Sequence, residues 1–92
     1  MTSYVICEQY FKDAATKVQK MIAEKCPLEF LSKFVHSDKD PIGWEIRMIA
    51  ARRCSIELLD AFVGDPDSDV RAIAIERLLD YTMRTEVLGE SK

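Results

Sequence analysis

His36 is the single histidine of the chain, and Asp38 and Asp40 follow it by two and four residues. An imidazole beside a carboxylate is the elementary unit of general-base chemistry, since the acid fixes the tautomer and the ring moves a proton near neutral pH. The simpler reading is a cationic ring at the end of a short helix, where the dipole is negative. Asp65, Asp67 and Asp69 alternate as calcium ligands do. The closing Glu of such a loop would fall at Glu76, in the middle of a helical pattern, so calcium is not expected. Cys7, Cys26 and Cys54 are odd in number and widely spaced, with no Cys-x-x-Cys pair. They read as small core hydrophobes, with neither a zinc set nor a disulfide. The chain holds no glycine-rich phosphate loop, H-E-x-x-H or G-x-S-x-G. The expectation is a protein without a catalytic centre, a metal or a cofactor.

The elements that must position these residues follow from periodicity. Between Ser3 and Lys25, Tyr4, Cys7, Phe11, Ala14, Val18 and Met21 recur at steps of three and four, which predicts one long amphipathic helix. Its other face carries Glu8, Lys12, Asp13, Lys17, Lys20 and Glu24. Cys26-Pro27 ends it, because proline pushes the preceding residue out of the helical region and suits a first helical position. A second helix, Pro27 to Ser37, is expected to bury Leu28, Leu31, Phe34 and Val35, with Phe30 at the edge. "SDKDPIG" then turns the chain, and Trp44 to Arg53 is helical by spacing. Ser55 is placed to cap a short helix, Ile56 to Val63, before "GDPD" breaks the chain again. Asp67 or Ser68 caps the last helix, expected from Asp69 to about Leu88, with Gly89 as its stop. Five helices and no strand signal predict an all-α fold in a single domain.

The chain also repeats itself. "CPLEFLSKFVHSD" (26 to 38) overlays "CSIELLDAFVGDP" (54 to 66) at an offset of 28, matching Cys26 with Cys54, Leu31 with Leu59 and Phe34 with Phe62. Past the turn the offset becomes 24, matching Glu45 with Asp69, Arg47 with Arg71, Ala50 with Ala74 and Arg53 with Arg77. Self-similarity at this period is the signature of a solenoid, whose unit cannot bury its apolar face alone. The pattern V-R-x-x-A-x-x-R, a short helix and D-P-D-x-x-V-R resembles the leucine-rich repeat variant family, a bacterial relative of HEAT-type repeats. The resemblance spans residues 26 to 78. It implies a short α-helical solenoid: a capping helix over 1–25, repeat 1 over 26–53, and repeat 2 with a C-terminal cap over 54–88. Members of that family can carry a cysteine-rich segment that ligates an iron-sulfur cluster, but this chain lacks a four-cysteine set and the cluster is not carried over. Two repeats fall short of the usual three, so an incomplete cap would leave the core to be finished by a homodimer or another protein.

Within this frame the charged residues acquire expected roles. Asp65 and Asp67 precede a helix start, and Arg71 lies one turn later, which suggests a carboxylate–guanidinium pair fixing the angle between helices. Arg53 and Arg77 share the apolar stripe and are expected to lay their stems on the core with their heads on exposed carbonyls. Trp44, in the longer first turn, reads either as an interface anchor or as a cover for the end of the core. The net charge of −3 argues against a general nucleic-acid binder. It is unevenly spread, since residues 55 to 80 carry seven acids against Arg71 and Arg77 while "RMIAARR" (47 to 53) is basic.

The expected function is therefore a non-enzymatic protein-interaction module, with Trp44, Arg47, Arg52, Arg53, Asp60 and Glu76 as candidate contacts. One alternative is a small acidic inhibitor or immunity protein covering a basic site on a nuclease or nucleic-acid-binding complex, with Asp60 and Glu76 at the contact. The other is a nucleic-acid backbone binder using Arg47, Arg52, Arg53 and Arg84 along a groove. No apolar run approaches the ~18 residues of a membrane span. The N-terminus "MTSYVICEQYFKD" shows no secretory signal, and a cytoplasmic location is expected.

Overall fold

In the computed structural model, which describes residues 2–12, 15–38 and 42–90 (side chains through Thr85), every regular element is helical. The elements are α1 (Ser3–Tyr10), α2 (Thr16–Lys25), a 3₁₀ segment (Leu28–Phe34), α3 (Trp44–Arg53), α4 (Ile56–Val63) and α5 (Ser68–Glu90). The three longer helices lie side by side, α2 on α3 and α3 on α5, while the 3₁₀ segment backs α3 and α4 backs α5. Between these two layers sits the core: Ile22, Ala23, Phe30, Leu31, Phe34, Ile46, Ala50, Ala51, Leu59, Phe62, Val70 and Ala74, with the thiols Cys26 and Cys54. Each fully buried Phe contributes about 1.5–3 kcal/mol by leaving water. No helix among the described residues is long and apolar enough to cross a membrane.

The chain turns between layers in the same way twice. Cys26 and Pro27 have ψ of 159° and 153°, and Cys54 and Ser55 have ψ of 163° and 160°. A two-residue extended step thus separates each longer helix from the short one after it. At the start of α5, Asp67 is the cap: its Oδ1 accepts from the backbone N–H of Asp69 at 2.9 Å and of Val70 at 3.2 Å. Two of the helix's orphan donors are satisfied in this way.

Several expectations are corrected. The single helix over 1–25 is two, because Tyr4 and Phe11 reach the rings of Phe30 and Phe34 whereas α2 packs on α3, and one straight rod cannot serve both. No proline or glycine lies between Phe11 and Thr16, so packing rather than local chemistry makes the break. The second short element is 3₁₀ and ends at Phe34, not Ser37. Three residues per turn set Leu31 above Phe34, and the edge-on contacts of Phe30 with Tyr4, Phe11 and Phe34 draw Phe30 inward. Phe30 is therefore buried and Leu28 is 56% exposed, the reverse of their expected places. Ser55 precedes α4 but its side chain makes no capping bond. Finally, α5 runs through Gly89 to Glu90, so that glycine does not stop it, and the helices number six among the described residues.

Candidate interaction surface

Four arginines hold the junctions and turns of the fold. Arg53, at the end of α3, reaches back to the end of α2, donating to the carbonyls of Ala23 at 2.6 Å and Cys26 at 2.8 Å. Arg77 on α5 does the same to the end of α3, donating to Ala51 at 2.9 Å and Cys54 at 2.7 Å. These acceptors are the carbonyls a helix leaves unsatisfied at its C-terminus, where a cation also meets the negative end of the dipole. Beside each guanidinium lies a thiol, Cys26 Sγ at 3.6 Å and Cys54 Sγ at 3.7 Å. Burial pushes both thiols above their ordinary value, outweighing the arginine beside each. All three cysteines are free. Neutral, buried Cys26 and Cys54 are poor nucleophiles.

The other two arginines hold the turns. Arg47 donates through Nη1 to the carbonyl of Ile42, and Arg71 to those of Asp65 at 2.8 Å and Pro66 at 2.9 Å. Ile42 and Pro66 are 24 residues apart, as are Arg47 and Arg71, so one contact recurs in one register. Arg47 does more. Its Nε and Nη2 meet the Asp65 carboxylate at 2.7 Å and 3.0 Å, both side chains are buried, and Asp65 Oδ1 also accepts from the Asp67 N–H at 2.9 Å. The carboxylate expected to pair with Arg71 is therefore held by Arg47, and Arg71 binds carbonyls instead. Arg47 belongs to the interior rather than to the surface.

Two of the molecule's grooves run along the longer helices. A groove of about 330 Å³ between α2 and α3 is lined by Lys20, Glu24, Trp44, Glu45, Met48, Ile49 and Arg52. Trp44, the first residue of α3, is 46% exposed, and Lys20 and Glu45 form a surface ion pair at 3.1 Å. A second groove of about 240 Å³ is lined by Ile56, Arg77, Asp80, Tyr81 and Arg84. Asp60 and Glu76 are exposed on α4 and α5.

The structure brings Trp44 and Arg52 together and leaves Asp60 and Glu76 apart from them. The four arginines of the nucleic-acid reading do not line one groove: Arg47 and Arg53 are occupied internally, Arg52 and Arg84 lie in different grooves. His36 Nε2 is 3.3 Å from Asp38, whose side chain is fully exposed, so nothing encloses a reaction there; Asp40 lies outside the described residues. The carboxylates of Asp65 and Asp67 are engaged by Arg47 and by backbone N–H groups, and no group of three or more metal-ligating side chains occurs among the described residues. Met48, Ile49 and Lys20, which line the first groove, are not among the contacts expected from sequence. Their signal is apolar or charged residues at helical spacing, which a solvated face shares.

Comparison of the chain with family models, with curated proteins and with solved structures finds no match.

Proposed function

We propose that this chain is a short helical-repeat protein of the HEAT-like, leucine-rich variant kind, and that it binds another protein on the outer face of its longer helices without catalysing a reaction. The observation that carries this reading is the recurrence of arginine contacts in register. Arg53 and Arg77 close successive helix ends, and Arg47 and Arg71 hold successive turns. A unit that repeats its junctions is built to present a continuous face of parallel helices, the use to which solenoids are put.

The groove beside Trp44 is the contact this reading favours. It is lined by the apolar Trp44, Met48 and Ile49 together with the charged Lys20, Glu24, Glu45 and Arg52. An exposed aromatic among polar side chains is a common composition of a binding hot spot. The test is affinity capture from the native host lysate with the wild-type chain and with Trp44→Ala. Proteins retained by the wild type and lost with Trp44→Ala support the reading, and identical recovery by both, or recovery of nothing above background, overturns it.

A second reading is favoured by the exposure of Asp60 and Glu76 in the most acidic part of the chain. There the protein covers a basic site on a nuclease or nucleic-acid-binding complex. Reversal of both charges, to Lys, abolishes capture under this reading and leaves it intact under the first.

A further inference from the structure

We propose that Arg71 takes a carboxylate from another protein, one whose acidic side chain sits in a turn ahead of a helix that packs on α5. This rests on the repeat reading above, because it compares Arg47 and Arg71 as equivalents. In the first unit Arg47 divides its guanidinium between two acceptors. Its Nη1 donates to the carbonyl of Ile42, while Nε and Nη2 hold the Asp65 carboxylate at 2.7 Å and 3.0 Å. That carboxylate belongs to the next turn along, just ahead of α5, and α5 packs on α3. Arg71 makes the first half of this contact alone. Its Nη1 donates to the carbonyls of Asp65 and Pro66, and among the described residues its Nε and Nη2 have no acceptor and its guanidinium has no ion pair.

The edge left over is the one that two carboxylate oxygens fit side by side, and Arg47 uses that same edge for Asp65. The chain does not supply the acid itself. Past Arg71 it continues as one helix through Glu90, about 28 Å along the axis, and does not turn back as it does between Arg47 and Asp65. A second folded copy cannot lend its Asp65 either, since that side chain is buried against its own Arg47. The adjacent position agrees: Ala51, one turn past Arg47, is fully buried, whereas Ile75, one turn past Arg71, is 45% exposed. The carboxylate and the helix that cover the first pair of positions have no counterpart over the second among the described residues. The occupant is therefore defined by its chemistry, an acid in a turn followed by a helix, rather than by apolar surface alone.

The probe is a synthetic peptide with residues 64–81 of this chain, held helical by a staple between positions 72 and 76, which are both exposed. Separated from Arg47, it offers the Asp65 carboxylate in the turn that the chain itself uses. Its binding to the full chain is read by fluorescence anisotropy at chain concentrations up to about 500 µM, which resolves micromolar affinities. The wild-type chain is expected to bind. Arg71→Met in the chain, or Asp65→Asn in the peptide, should each weaken binding about tenfold or more, and the two together no more than either, because they remove the two ends of one contact. The peptide substitution leaves the folding of the chain untouched, and Trp44→Ala in the chain should leave the affinity as it is. Absence of binding, equal binding by the Asp65→Asn peptide, or losses that simply add each overturns the proposal. So does a full chain whose own mass doubles over this range only while Arg71 is intact, since that puts a second copy at the site. Failure of the repeat reading is seen separately, in the stability of the chain alone: it would leave Arg53→Met and Arg77→Met with unlike effects whatever the peptide does.

Discussion

Removing Arg47 should cost more than removing any exposed charge of this chain. The Arg47→Met substitution keeps the apolar stem and deletes the guanidinium, so the Asp65 carboxylate, fully buried, is left with the Asp67 N–H as its remaining partner. The Ile42 carbonyl loses its donor as well. Breaking a buried ion pair from one side costs about 3–5 kcal/mol, because a desolvated charge remains. A domain of 92 residues is stable by roughly 5–14 kcal/mol, so the variant should lose from about a fifth to all of that margin. Asp65→Leu should lose a similar amount, having orphaned both Arg47 and the Asp67 N–H. The double variant should recover about 2 kcal/mol or more relative to the sum of the singles, since no unpaired charge is left inside. Urea unfolding followed by far-UV circular dichroism gives all four stabilities. If Arg47→Met falls within about 1 kcal/mol of the wild type, or if the two losses simply add, the pair does not hold the turns in the way the geometry implies.

Two further outcomes follow from the helix junctions. Arg53→Met and Arg77→Met should each lose about 2 kcal/mol, because each deletes charge-assisted bonds to helix-end carbonyls, and Arg53→Lys should restore little of it, since one ammonium cannot reproduce the two-pronged contact with Ala23 and Cys26; thermal melts of the three variants check this. The cysteines give a pH test. Burial raises the thiols of Cys26 and Cys54 above 9.0, so the unfolded chain ionises first, and stability present below that value is lost as the pH rises through the raised one. A Cys26→Ala, Cys54→Ala chain should therefore show a flatter fall in Tm above about pH 9 than the wild type, and parallel curves for the two would contradict the burial of the thiols as the cause.

Much of the fold is written in local chemistry. The Cys26-Pro27 step, the bounds of Trp44–Arg53 and Ile56–Val63, and the cap at Asp67 all follow from turn residues and helical spacing, which act within a few residues. The heads of Arg53 and Arg77 could be placed on carbonyls because both fall on an apolar stripe. What escaped were choices made by distant parts of the chain. Arg47 and Asp65 are 18 residues apart, and nothing near either distinguishes a buried partner from a surface charge. Proximity in sequence favoured Arg71 for that acid, whereas in space Arg71 is better placed for the carbonyls of the turn before its own helix. The division of the first helix and the tight winding of Leu28–Phe34 come from four aromatic rings that meet only in the folded chain. The candidate surface was partly visible, in Trp44 and Arg52, but the groove joining them to α2 exists only once two helices are packed.

The long reach of the junction arginines bears on how the protein acquires its structure during synthesis. The end of α2 is satisfied by Arg53, which emerges from the ribosome 27 residues after Cys26, and the end of α3 waits in turn for Arg77, 23 residues after Cys54. A nascent chain halted between these points carries a helix whose last carbonyls still face water. Each junction is therefore completed only once the arginine of the next longer helix has been made.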